Sequence, residues 1–106
     1  MAIIHADDTN FDAELSKATG LVVIDFFADW CGPCQMFGPT FEETSNEYSD
    51  VAFLKVDTEQ APNTAQKFAV MSIPTIVFMK KGKILEVMRG ALPKETLKSK
   101  IEELKA

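Results

Sequence analysis

The stretch Leu21-Val22-Val23-Ile24-Asp25-Phe26-Phe27-Ala28 constrains the fold of this chain more than any other. Apart from Asp25, both of its alternating faces are apolar, so it predicts a central strand with helices packed on each side. The run is too short, and too interrupted by Asp25, to span a bilayer. It leads directly into Asp29-Trp30-Cys31-Gly32-Pro33-Cys34. Open α/β sheets carry their sites at the carboxyl ends of strands, and both cysteines of the chain fall there.

The remaining pattern alternates strand and helix. Ile3-Ile4-His5 reads as a short strand, and Phe11, Leu15 and Ala18 mark one buried helical stripe, with Asp7, Asp8 and Thr9 as candidate N-caps and Gly20 at its end. A helix is predicted from Pro33 to Tyr48, with Phe37, Phe41, Thr44 and Tyr48 on one face and Pro39 inside it. Val51 to Val56 is a strand, and Pro62 opens a short helix to Phe68. Thr75 to Met79 and Lys83 to Met88 flank Lys80-Lys81-Gly82 as a hairpin. A last helix starts near Pro93 and buries Leu97, Ile101 and Leu104. The expected architecture is α/β: a mixed sheet of about five strands flanked by four helices, in one domain over residues 1–106.

With 46% hydrophobic residues and eight Phe, the chain can build a core without covalent staples. A bridge between Cys31 and Cys34 would close so short a loop that it adds only about 2 kcal/mol, roughly half of what a long loop gives. Its value then lies in opening and closing. The net charge of −5 gives no footprint for nucleic acid. Met1-Ala-Ile-Ile-His5 has neither a basic start nor a long apolar run, so no secretory signal is read there and a reducing, cytoplasmic setting is expected.

The spacing of the two cysteines points to thiol–disulfide exchange. Cys31 falls at a helix N-terminus, where free backbone N–H groups and the helix dipole favour a thiolate. Cys34 lies one turn further and is expected to be more enclosed. Cys31 is thus the exposed attacking sulfur and Cys34 the resolving one. Gly32 and Pro33 add no positive charge, which predicts a reductant rather than a strong oxidant. A zinc site would need ligands that only His5 and scattered carboxylates offer, so no metal is expected. Asp25, in a strand covered on both faces, is read as a carboxylate of raised pKa and a proton acceptor for Cys34; the alternative places it at a solvated sheet edge.

Over its whole length the chain resembles the thioredoxin family, through Asp25, Trp30-Cys31-Gly32-Pro33-Cys34, Pro39, Ile73-Pro74-Thr75, Gly82 and Gly90-Ala91. The resemblance implies a general protein-disulfide reductase acting on disulfide-containing client proteins and recharged by a thioredoxin reductase, with no cofactor on this chain. It implies that Asp25 assists proton transfer and that Trp30, Gly32, Pro33, Ile73, Pro74, Gly90 and Ala91 form a shallow docking surface. It further implies a cis Pro74, where the sequence alone would favour an ordinary trans bond. With two cysteines already committed, a monomer is expected.

Several positions depart from the family pattern. Phe53 is placed where many members carry a lysine opposite the aspartate, which would leave Asp25 without a charge partner. Phe27 stands for a second tryptophan, Gln35 for a lysine, and Arg89 for a smaller or apolar residue. His5, the sole histidine, reads as structural or solvated. The methionines read as packing residues, and Lys80, Lys81 and Lys83 as a solvated hairpin tip. Two other functions are compatible with the pattern: an accessory scaffold whose fold alone matters, and an oxidase or isomerase of secreted proteins, against which Gly32-Pro33 argues.

Overall fold

Strand β2, Leu21–Phe27, lies in the middle of a five-stranded sheet of order β1-β3-β2-β4-β5. The structure is a computed structural model and describes residues 3–106. Strands β1 (Ile3–Ala6) and β3 (Ala52–Asp57) run parallel to β2 in a continuous set, while β4 (Thr75–Lys80) and β5 (Lys83–Arg89) are antiparallel. Helices α1 (Phe11–Lys17) and α3 (Pro62–Lys67) follow β1 and β3; α2 (Gly32–Ser45) follows β2, and α4 (Lys94–Lys105) ends the chain. The mixed sheet with four helices is the architecture expected from the alternating pattern.

The two faces of β2 feed two separate cores, which explains why both are apolar. Val23 packs with Phe37, Phe41, Phe53, Ile76, Phe78, Leu97 and Ile101, joining the sheet to α2 and α4. Val22, Ile24 and Phe26 pack with Phe11, Leu54, Val56 and Val77, with Leu15 and Phe68 against them, on the side of α1 and α3. Aromatic edges set the first core, with Phe41 5.3 Å from Phe53 at an interplanar angle of 71°. Asp25 is fully buried at the centre of the sheet, which removes the edge alternative.

Some boundaries and caps differ from expectation. None of Asp7, Asp8 and Thr9 caps α1: Asn10 occupies that position without a side-chain cap bond. Asp7 instead closes the preceding turn, accepting from the backbone N–H and hydroxyl of Thr9. Asp8 reaches across to α3 and accepts from the N–H groups of Asn63 and Thr64 and from the Thr64 hydroxyl. It caps a helix more than fifty residues away in sequence, a role that no local pattern signals. Asp8→Ala leaves those donors without their acceptor and is expected to lower the midpoint of a denaturant titration. An unchanged midpoint would show that water replaces the carboxylate without loss.

Helix α1 ends at Lys17, with Ala18 rather than Gly20 at its C-cap. Helix α2 stops at Ser45, three residues before Tyr48, where the backbone tightens: Glu47 and Tyr48 donate to the carbonyls of Thr44 and Ser45, three residues back. Tyr48 stays buried all the same. The hairpin turns on Lys81 and Gly82, whose φ angles of +52° and +79° suit a primed two-residue turn.

Candidate active site

At the end of β2 the chain runs through Ala28, Asp29 and Trp30 and enters α2 at Cys31, the N-cap residue. Its φ and ψ of −87° and 114° are extended, and its Sγ takes the place that a capping oxygen fills elsewhere, accepting the Cys34 N–H at 3.2 Å. Pro33 in the first turn needs no acceptor for its nitrogen. No acidic residue shares that first turn. A negative sulfur at position 31 thus faces an N–H group and the positive end of a fourteen-residue helix. Cys31 and Cys34 are bonded to each other, with Cα atoms 5.2 Å apart.

The expected contrast between an exposed Cys31 and an enclosed Cys34 is not present in this bonded state. Both residues are 4% exposed. Cys31 is covered by its bond to Cys34 and by the Ile73 carbonyl 3.7 Å from its sulfur. The asymmetry lies in the partners of each sulfur. Cys31 sits against the Cys34 N–H and the Ile73 carbonyl. Cys34 lines a groove of about 670 Å³ between α2 and the β1–β3 side of the sheet, shared with His5, Phe27, Gly38 and Lys55.

The Ile73–Pro74 peptide bond is cis, as the family resemblance implied. Pro74 is buried at the start of β4, and its carbonyl accepts the Gly90 N–H at 2.9 Å. Gly90 takes φ +95°, which a side chain would strain, and Ala91 beyond it is exposed. Gly32, Pro33 and Trp30 are exposed on the other side of Cys31, Trp30 to 68%. The surface residues expected from the resemblance therefore line one end of the sheet, around the cysteine pair.

Asp25 contradicts one expectation. Its two carboxylate oxygens are buried without a hydrogen-bond partner among the described residues. Burial raises its pKa from 3.8 to about 7, opposed by the positive charge of Lys55. Lys55, not Phe53, stands across from Asp25 in the parallel register; Phe53 is opposite Val23. Asp25 thus has a cation near it. Lys55 holds its ammonium 4.4 Å from the centre of the Phe27 ring, where Phe27 replaces the tryptophan common in the family. The sequence offered a signal for Lys55, a lysine between the apolar Leu54 and Val56, but only strand register pairs it with Asp25.

Two more polar contacts shape the loop. The Trp30 indole N–H donates to Glu59 at 2.5 Å, and the Gln35 side chain donates to the Asp29 carbonyl at 2.7 Å. Glu59 escaped the sequence reading because it comes from the β3–α3 connection. Among the described residues, no cluster of three or more His, Cys, Asp and Glu is placed to hold a metal. Among the same residues no helix is long and apolar enough to cross a membrane.

A vicinal dithiol at a helix N-terminus, beside a cis-proline loop on a mixed sheet, defines a thiol–disulfide oxidoreductase. A family model described as thioredoxin matches residues 2–103. The chain is 44% identical over 104 residues to a thioredoxin of Staphylococcus saprophyticus, covering 97% of this chain and 98% of that one. It is 42% identical to that of Bacillus subtilis with the same coverage. Against "Thioredoxin 2" of Chlorobaculum tepidum it is 41% identical over 100 residues, or 93% and 92% of the two chains. The crystal structure of reduced Schistosoma mansoni thioredoxin pre-protein superposes with a TM-score of 0.90 at 33% identity, covering 98% and 99%. The chain belongs to the thioredoxin family and is a protein-disulfide oxidoreductase of that type.

Proposed function

We propose that the chain is a general protein-disulfide reductase in which Cys31 attacks, Cys34 resolves and Asp25 assists proton transfer. The observation that carries this assignment is the Cys34 N–H aimed at Cys31 Sγ from the first turn of α2. That donor and the helix dipole stabilise charge on Cys31 and not on Cys34. In the reduced chain the Cys31 thiolate attacks one sulfur of a client disulfide, forming a mixed disulfide and releasing the other client sulfur as thiolate. Cys34 then gives its proton to the Asp25 carboxylate and attacks Cys31 Sγ, releasing the second client thiolate. Two electrons pass to the client, and the Cys31–Cys34 disulfide remains.

Trp30, Gly32, Pro33, Ile73, Pro74, Gly90 and Ala91 form the docking surface in this reading. Its support is their common position around the pair, with the Ile73 carbonyl beside Cys31 Sγ. Residues 1–106 act as one domain and as a monomer in this reading, and both cysteines, committed to the active pair, argue against a covalent dimer. A thioredoxin reductase restores the dithiol, as throughout the family, and a cytoplasmic setting suits a pair that must be kept reduced.

The test is reduction of a disulfide-bonded protein by the wild-type chain and by the Cys31→Ser, Cys34→Ser double variant, with a dithiol as electron source. Wild type is expected to accelerate the reaction and the double variant to leave it at the rate of the dithiol alone. Equal rates for both chains would assign the function to the fold rather than to the sulfurs.

A further inference from the structure

Arg89 is the only arginine of the chain and stands where the family usually has a smaller or apolar residue. It is exposed at the end of β5. Among the described residues no carboxylate pairs with it, although all six helix lysines are paired: Lys17, Lys67, Lys94, Lys98, Lys100 and Lys105. The unpaired Lys81 and Lys83 lie at the hairpin tip, the opposite end of β5. Among the described residues two cations at the cysteine end of the sheet lack an ion pair: Lys55, half-buried in the groove that Cys34 lines, and Arg89, which alone is exposed at the rim.

Strand register fixes its place relative to the site. Arg89 stands opposite Thr75, Thr75 opposite Phe26, and Phe27 opposite Asp57. Across this end of the sheet the order is therefore Asp57, the strand leading to Cys31, the Pro74 segment, and Arg89. Acidic groups gather on the Trp30 side, where Asp57 accepts from the Glu59 N–H and Glu59 holds Trp30. The guanidinium alone marks the other side, tied to Pro74 through the next residue by the Gly90 N–H to Pro74 carbonyl bond. At about 4.8 Å per strand, β5 lies about 10 Å from β2, which an extended segment covers in about three residues.

From this layout we propose that Arg89 is a specificity-determining residue: it selects client disulfides with a carboxylate two or three residues from the attacked cysteine. The inference rests on the docking surface described above. A guanidinium matches a carboxylate with two parallel N–H donors, a fork that lysine lacks. It also lets a chain of net charge −5 accept an acidic segment that its overall field repels.

The test uses the pre-reduced chain in single turnover, followed by the fluorescence of its sole tryptophan, Trp30. The two probes are peptides with one cysteine blocked as a mixed disulfide with 2-mercaptoethanol. They carry either Glu or Gln two and three residues to each side of the cysteine. The Glu-to-Gln ratio of second-order rate constants is expected to fall about fivefold from wild type to Arg89→Gln at low salt. Arg89→Lys should keep part of the preference, and 1 M salt, where the screening length is about 3 Å, should largely abolish it. An identical ratio in wild type and Arg89→Gln would overturn the proposal. A wild-type chain that reduces neither peptide would instead overturn the reductase reading beneath it.

Discussion

Cys31→Ser is expected to abolish turnover, by at least about 10³-fold, while Cys34→Ser stops after the first exchange with the client covalently attached. The difference follows from the placement of the two sulfurs. Position 31 is the N-cap of α2, and its side chain receives the Cys34 N–H. A serine hydroxyl accepts the same hydrogen bond, so the cap and the fold survive, but it does not ionise near neutral pH and cannot attack a disulfide. Serine at 34 leaves the Cys31 thiolate intact and removes the sulfur that would break the adduct. Intact mass after mixing with a disulfide protein is expected to show one client per chain for Cys34→Ser, released by a dithiol, and no adduct for Cys31→Ser. Adducts formed equally by both variants would show that the helix terminus does not distinguish the two thiols.

Asp25→Asn is expected to slow resolution by about 10²-fold at pH 7, a size typical of a lost general base, and to stabilise the fold increasingly as pH rises above about 4. In the folded chain Asp25 titrates at about 7 because burial disfavours its charge, with Lys55 opposing; unfolded, it titrates near 3.8. Between those values the folded state keeps a proton that the unfolded state has lost, so this group lowers stability progressively as pH rises from about 4 to 7. A difference of about 3 pKa units corresponds to about 4 kcal/mol once both states are ionised. Asparagine never ionises. The variant should match wild type near pH 4, where each carries an unpartnered neutral group, and exceed it by up to about 4 kcal/mol at pH 8. Paired denaturant titrations across that range measure the gap. A gap independent of pH would mean that Asp25 is solvated in solution.

The same ionisation sets the kinetic signature. Wild-type resolution should rise as pH passes through about 7 and Asp25 becomes able to accept the Cys34 proton. The variant should lack this rise through pH 7, because asparagine cannot accept the Cys34 proton. Resolution at the wild-type rate at pH 7 would remove Asp25 from the mechanism. Fold and chemistry pull against each other at this position: the burial that makes the group a base near neutrality is the burial that weakens the protein once it is charged.

Much of this site can be read directly from neighbouring residues. Helix N-termini and strand ends are local features, so Leu21 to Ala28 followed by Cys31-Gly32-Pro33-Cys34 places the dithiol before any contact is known. Two-sided apolarity likewise marks β2 as central, and a carboxylate inside it as buried. The Phe53 placement shows where such reading stops. Deciding which β3 residue faces Asp25 requires the register between two strands separated by a whole helix, and a shift of two residues exchanges Lys55 for Phe53.

What the sequence alone determined is whatever depends on spacing along one segment: the alternation of strands and helices, the sulfur at the mouth of α2, and the acid in the middle of β2. Tertiary structure decided what comes from segments far apart in the chain. It brought Ile73 to Cys31, Lys55 across from Asp25, Glu59 to Trp30, Asp8 to the start of α3, and Arg89 to the rim beside Pro74. The physical reason is that hydrophobic periodicity specifies which face of an element is buried but not which partner covers it. That choice belongs to register and packing, which exist only once the strands are side by side.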